Sequence, residues 1–167
     1  MAAVTHPAFR AGIGLLASLL ITLTPPALPA QNAVPLPGDV KIVPPEPATP
    51  KELAAFSGKW FGTWGVPGSR SGAREAILVF ERIEVDPARA TVVYGWGPRP
   101  ENAQVPERAH LTAPGWRRLN GTFVDGAFHL TLDNTLRVFR PGAGDTLAGT
   151  WTQGRLTDRA TFRRLAE

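Results

Sequence analysis

The stretch Gly58-Lys59-Trp60-Phe61-Gly62-Thr63-Trp64, echoed late in the chain by Gly149-Thr150-Trp151, decides the fold. In both places a glycine stands two residues before a tryptophan, so on an extended backbone the two share one face. Glycine lets a second backbone or ring approach closely, and the indole brings a large surface to bury there. Small β-barrels close in this way. Trp60, Gly62 and Trp64 fall on one face of a first strand, and Trp151 belongs to the matching closure near the end.

Working outward, every later segment is short, rich in Val, Leu, Phe, Thr and Trp, and bounded by turn residues. Strands are predicted at about 59–66, 75–85, 89–97, 108–112, 116–124, 127–132, 135–140, 146–152 and 157–165. Asp125-Gly126 and Asp133-Asn134 read as two-residue hairpin loops, and Pro141 to Asp145 as a longer one. No crossover helix fits between them. The sequence therefore predicts an all-β, antiparallel, up-and-down meander barrel of 8–9 strands. Phe128, Leu130 and Leu132 share a face opposite His129 and Thr131. The second strand is apolar on both sides, with Ile77, Val79, Ile83 and Val85 in one phase and Leu78 and Phe80 in the other. It must be covered twice, either by the short helix near Phe56 or by a second subunit.

Before the first strand, Thr49-Pro50-Lys51-Glu52 has a capping residue, a proline suited to the first helical position and Glu three places after Thr. A helix of one or two turns follows, ended by Gly58. Residues 31–50 carry prolines at 35, 37, 44, 45, 47 and 50 and read as an extended, semi-rigid linker. Arg10, an uncharged run from Ala11 to Thr24 and a small residue at Ala30 describe a secretory signal over 1–30, and the run is shorter than the roughly 20 residues of a spanning helix. Cleavage is expected near Ala30, an uncleaved anchor being the alternative. Membrane contact is expected only through this segment before cleavage. The domain proper is 51–167, periplasmic or secreted.

The chain has no cysteine, so an exported domain must hold together by packing alone. Its net charge of +4 rests on fifteen Arg against three Lys. Late in the chain Arg137, Arg140, Arg155, Arg159, Arg163 and Arg164 outnumber the acids and, at strand spacing, read as a solvated sheet face. Export and the lack of a nucleic-acid motif argue against DNA or RNA as partners.

A capped short helix, Gly-x-Trp on the first strand, a meander and arginine on the last strand resemble the calycin superfamily, with its lipocalin and avidin members. Gly58, Trp60, Gly62, Trp64, Gly149, Trp151 and Arg163 or Arg164 carry the resemblance. It implies a barrel floor closed by an arginine packed across Trp60. Arg164 is the better candidate, since it shares phase with Ala160 and Phe162. The chain departs from lipocalins in lacking a long C-terminal helix and cysteines, and from avidin in lacking a biotin-site pattern. The runs Ala76 to Ile83 and Val92 to Gly97 also resemble a secreted bacterial β-domain of unknown function.

Enzyme motifs are thin. Gly68-Ser69-Arg70-Ser71-Gly72 places its serines off the central position of a nucleophile elbow and reads as a hairpin loop, leaving only a weak opening for a hydrolase. His110 and His129 are the histidines beyond the signal and lack the spacing of a metal pair, so neither metal nor cofactor is expected. Glu81, in phase with Val79 and Ile83, would point into the barrel, as one half of an ion pair with an arginine such as Arg137 or Arg164 or as a group that orients a bound ligand. Tyr94 and Trp96, with Trp116 after Pro114-Gly115, form the best binding candidate, at a strand end where barrels open. The competing reading makes Trp96 a core plug. The segment from Pro98 to Glu107 is long enough for a lid. The expected function is non-enzymatic binding of a small hydrophobic or glycan ligand. The alternative is a structural module that meets an envelope protein, or itself as a homodimer, through an apolar or Arg-rich sheet face.

Overall fold

The computed structural model describes residues 34–65, 73–98 and 113–166. The expected signal segment, the Ser69/Ser71 loop, the segment from Arg99 to Glu107 and the expected strand at 108–112 lie outside these. Eight strands run in chain order: β1 (Gly58–Trp64), β2 (Arg74–Val85), β3 (Ala88–Trp96), β4 (Gly115–Val124), β5 (Ala127–Leu132), β6 (Thr135–Pro141), β7 (Thr146–Gln153) and β8 (Leu156–Arg164). Each pairs antiparallel with the next, and β1 pairs with β8, closing the barrel. Closure leaves no sheet edge to template further pairing.

Turn chemistry fixes the registers. Asp125 and Gly126 have φ of 49° and 70°, and Asp133 and Asn134 have φ of 50° and 59°, the left-handed pairs of a primed hairpin turn. The second of these sets Leu132 opposite Thr135 and Leu130 opposite Arg137. The turns joining β2–β3, β4–β5 and β6–β7 lie at the end from which β1 starts, here called lower; the β5–β6 and β7–β8 turns lie at the upper end.

Helix α1 (Lys51–Ala54) is a single turn. Pro50 is its N-cap rather than its first residue, and no side chain caps it; Leu53 and Ala54 donate instead to the Pro50 carbonyl. The capping role expected of Thr49 is therefore not taken up. The helix delivers Phe56 into the lower mouth. There its ring lies 5.1 Å from Phe123 and 5.5 Å from Phe80, and Phe80 lies 4.8 Å from Phe128. Phe139 and Phe162 continue this packing up to Trp64. The lower barrel is thus filled by its own rings.

Closure follows the Gly-x-Trp pattern. A Cβ on Gly62 would stand 2.7 Å from the Phe162 ring and 2.8 Å from the Thr161 carbonyl, and one on Gly149 would stand 2.9 Å from the Trp64 ring. Glycine is what lets β1 and β8, and the two tryptophan echoes, come together. Trp60 donates from Nε1 to the Phe56 carbonyl at 2.8 Å. Arg164, opposite Trp60 across β1–β8, stacks its guanidinium 4.1 Å from that ring and donates to the carbonyls of Ala55, at 2.8 Å, and Ser57. One cation closes the floor and satisfies the carbonyls that follow α1.

The outer apolar face of β2 is covered by a segment of the chain itself. Ala76, Leu78 and Phe80 face the core, while Ile77 and Val79, with Val93 and Phe61, form an outer cluster under Val34, Leu36, Val40 and Ile42. The stretch expected to be linker lies along the barrel over this part, as an extended strap. It presses on Gly95, where a Cβ would meet the Pro35 carbonyl at 2.8 Å. Val43 donates to the Glu81 carbonyl at 2.8 Å, tying the strap to β2.

Candidate functional site

The candidate ligand residues do not come together as one group. Tyr94 and Trp96 face the core and are 2 % and 6 % exposed. Their polar atoms are engaged: Trp64 Nε1 donates to the Tyr94 hydroxyl at 2.7 Å, and Trp96 Nε1 donates to the Ala113 carbonyl at 2.9 Å. Trp116 stands opposite Gly95, one register step from the pairing of Trp96 with Gly115, so it projects from the outer face and is 40 % exposed.

Glu81 also lies outside. The β2–β3 register slips between Phe80 and Arg82, so Glu81 is the extra residue of a β-bulge. Val79 below it faces outward and Ile83 beyond it packs on the core, because the bulge reverses the phase. The partner of Glu81 is therefore neither Arg137 nor Arg164 but Arg118, whose Nε and Nη2 meet the carboxylate at 2.7 and 3.1 Å. Asp39 of the strap takes a second Arg118 bond at 3.0 Å, and Lys41 N reaches Glu81 at 3.4 Å. Arg118 holds the Asp39 carboxyl below its ordinary pKa, chiefly through that hydrogen bond, and the two acids raise the pKa of Arg118. This cluster fastens the strap.

The charged group buried inside the barrel is Arg137, which the sequence pattern put on a solvated sheet face or, alternatively, beside Glu81; it points inward instead, because it stands opposite Leu130 of the core. Arg137 on β6 is 6 % exposed, in the same inward row as Leu130, Trp151 and Asp158. Its Cζ lies 5.2 Å from the centroid of the Tyr94 ring. Nη1 donates to the carbonyls of Leu132 and Thr135 at 3.3 and 3.4 Å. Nε is buried and has no hydrogen-bond partner. Among the described residues no carboxylate lies within ion-pair distance of Arg137; Asp158, beyond Trp151, instead accepts from the Arg159 backbone N at 2.8 Å. A buried guanidinium without a counter-ion costs several kcal/mol in desolvation, and a buried orphan donor adds about 1–3 kcal/mol.

A signal for Arg137 was present. The two-residue Asp133-Asn134 turn pairs Leu130 with residue 137, and Leu130 lies on the apolar face of β5, so residue 137 must point inward. No group of three or more His, Cys, Asp or Glu stands as a metal site among the described residues. His129 is half-buried, and His110 lies outside the described residues.

Set beside known proteins, this eight-stranded barrel matches no protein family, no curated protein and no solved structure.

Proposed function

We propose that the chain is an exported, non-enzymatic binding barrel of calycin-like kind, holding a small apolar or glycan-like ligand at its upper end. The observation that carries this is the division of the interior. Below, phenylalanine rings fill the barrel from Phe56 to Phe162; above, a charged side chain enters beside Tyr94, Trp151 and Thr135. An eight-stranded barrel is wide enough to be filled by side chains or to hold one small ligand. A barrel serving only as a scaffold gains nothing from an uncompensated cation in its core. Tyr94 and Trp96 form the wall of this end rather than its hydrogen-bonding groups, and Trp151, half-buried, flanks it. Native mass spectrometry on the mature protein recovered from its own cell envelope tests the reading. A discrete mass that leaves on denaturation supports it, and a bare protein at every isolation condition counts against it.

A second reading, an envelope interaction module, has a different observation in its favour. Arg140, Arg159 and Arg163 are exposed on the outer face of β6–β8 and form no ion pair among the described residues. The apolar face of β2, by contrast, is already covered by the strap. This reading predicts salt-sensitive capture of an anionic partner.

A further inference from the structure

We infer that the upper-end site recognises a carboxylate, with Arg137 as the residue that binds it; this rests on the binding reading above and specifies its ligand class. The inference starts from how the guanidinium is used. Nη1 is spent on the backbone carbonyls of Leu132 and Thr135, which hold the head group in place from the β5–β6 turn. Nε has no acceptor, and Nη2 makes no hydrogen bond to the described residues. The free edge is therefore the Nε–Nη2 side, two parallel N–H donors whose spacing matches the two oxygens of a carboxylate.

Charge selects among anions. One guanidinium neutralises one negative charge; Arg117, opposite Tyr94 across β3–β4, is a second arginine at this end, but it is exposed and stands 4.0 Å from Asp133, while the row of Leu130, Arg137 and Trp151 continues to an acid, Asp158. A carboxylate matches the single charge of Arg137 and leaves Arg117 to Asp133, whereas a phosphate dianion would bring a further negative charge into a row that already holds Asp158. The rings on either side suit a small flat or apolar body attached to the acid. Trp151, half-buried and directly opposite Arg137 across β6–β7, is the side chain that must shift to admit it.

The fastening of Glu81 shows the contrast. That buried carboxylate is met by two guanidinium nitrogens and approached by a backbone N–H, all within the chain. The Nε–Nη2 edge of Arg137 has the complementary chemistry and no acceptor among the described residues.

The test uses the mature chain and two acid–neutral pairs, phenylacetate with phenylacetamide and glucuronate with glucose, read by the NMR resonance of the Arg137 Nε–H group, with Arg137→Met to assign it. At least one acid should shift that resonance and bind roughly tenfold to hundredfold more tightly than its neutral counterpart. The difference should vanish in Arg137→Met, and which acid responds tells an apolar acid from a sugar acid. Equal binding of acid and neutral partner, or acid binding that survives Arg137→Met, overturns carboxylate recognition and leaves the binding reading standing. If all four probes leave the unaltered protein's spectrum unchanged at millimolar concentration, both are overturned. The acid–neutral comparison on unaltered protein stands even where the variant folds poorly.

Discussion

Replacing Arg137 by Met should raise the stability of the ligand-free protein. The side chain now contributes two hydrogen bonds to carbonyls, both long at 3.3 and 3.4 Å, and a contact with the Tyr94 ring at 5.2 Å. Together these are worth about 1–3 kcal/mol. Against them stand the desolvation of a charge buried to 6 % exposure, several kcal/mol, and the orphan Nε, about 1–3 kcal/mol. Methionine keeps the length and fills the same space without either cost. Replacing unsatisfied buried charges by apolar residues of similar volume is neutral or stabilising by about 1–4 kcal/mol. In a domain of this size each kcal/mol moves the Tm by about 3–5 °C, so a stabilisation across that range raises it by roughly 3–20 °C. Urea unfolding followed by tryptophan fluorescence gives the free energy, with an unchanged m-value confirming that the same fold is compared. A destabilisation of about 3–5 kcal/mol, the signature of removing one member of a satisfied buried pair, would refute the view of Arg137 as uncompensated.

Other expectations follow from the closure and the strap. Gly62→Ala should cost about 1–3 kcal/mol by thermal unfolding, because its Cβ meets the Phe162 ring and the Thr161 backbone, which do not easily yield. Arg164→Ala removes the stack on Trp60 and the bonds to the carbonyls of Ala55 and Ser57, at about 1–3 kcal/mol, and hydrogen exchange should rise first around residues 51–58. Trp96→Ala acts on the core rather than on a surface and should cost about 3–5 kcal/mol. Asp39 has a depressed pKa in the folded chain, so its contribution is present above the ordinary carboxylate value and is lost as pH falls through the folded value. Strap protection from proteolysis should therefore weaken on acidification below about pH 4, and Asp39→Asn should remove that dependence.

The barrel was legible because its signals are local. Asp125-Gly126 and Asp133-Asn134 must adopt left-handed pairs, which sets hairpins whatever the rest of the chain does, and Gly62 and Gly149 mark where rings press on backbone. An arginine across Trp60 was implied by the resemblance, and phase chose Arg164 over Arg163. Glu81 was misplaced because a bulge adds one residue without any composition cue: Glu81 and Arg82 are both polar, so the reversal of phase between Val79 and Ile83 leaves no trace in the pattern. Trp116 was grouped with Trp96 because neighbourhood in sequence says nothing about a one-residue offset across β3–β4. The strap was hidden by its prolines. Yet Val34 and Leu36 before the turn at Gly38-Asp39, and Val40 and Ile42 after it, each alternate on a short extended stretch, and together they cover Ile77, Val79 and Val93.

Among the described residues two charged side chains, Glu81 and Arg137, are buried, and they differ in a way that separates structure from function. Glu81 sits on the outer face with Arg118 gripping both its oxygens, and the pair anchors the strap. Removing it by Glu81→Ala leaves Arg118 with Asp39 as its remaining acid and loosens the segment from Val34 to Val43. The cost should be about 1–3 kcal/mol, below that of a fully buried pair because the Arg118 side chain is 36 % exposed. Arg137 has the same degree of burial and no such partner. A sequence able to satisfy one buried charge so fully has no structural reason to leave another with its Nε unbonded, and departures of this kind concentrate at sites kept for use. The two substitutions should therefore move stability in opposite directions, Glu81→Ala down and Arg137→Met up. Parallel losses would mean that both charges serve the fold, and the upper end would lose its claim to be a binding site.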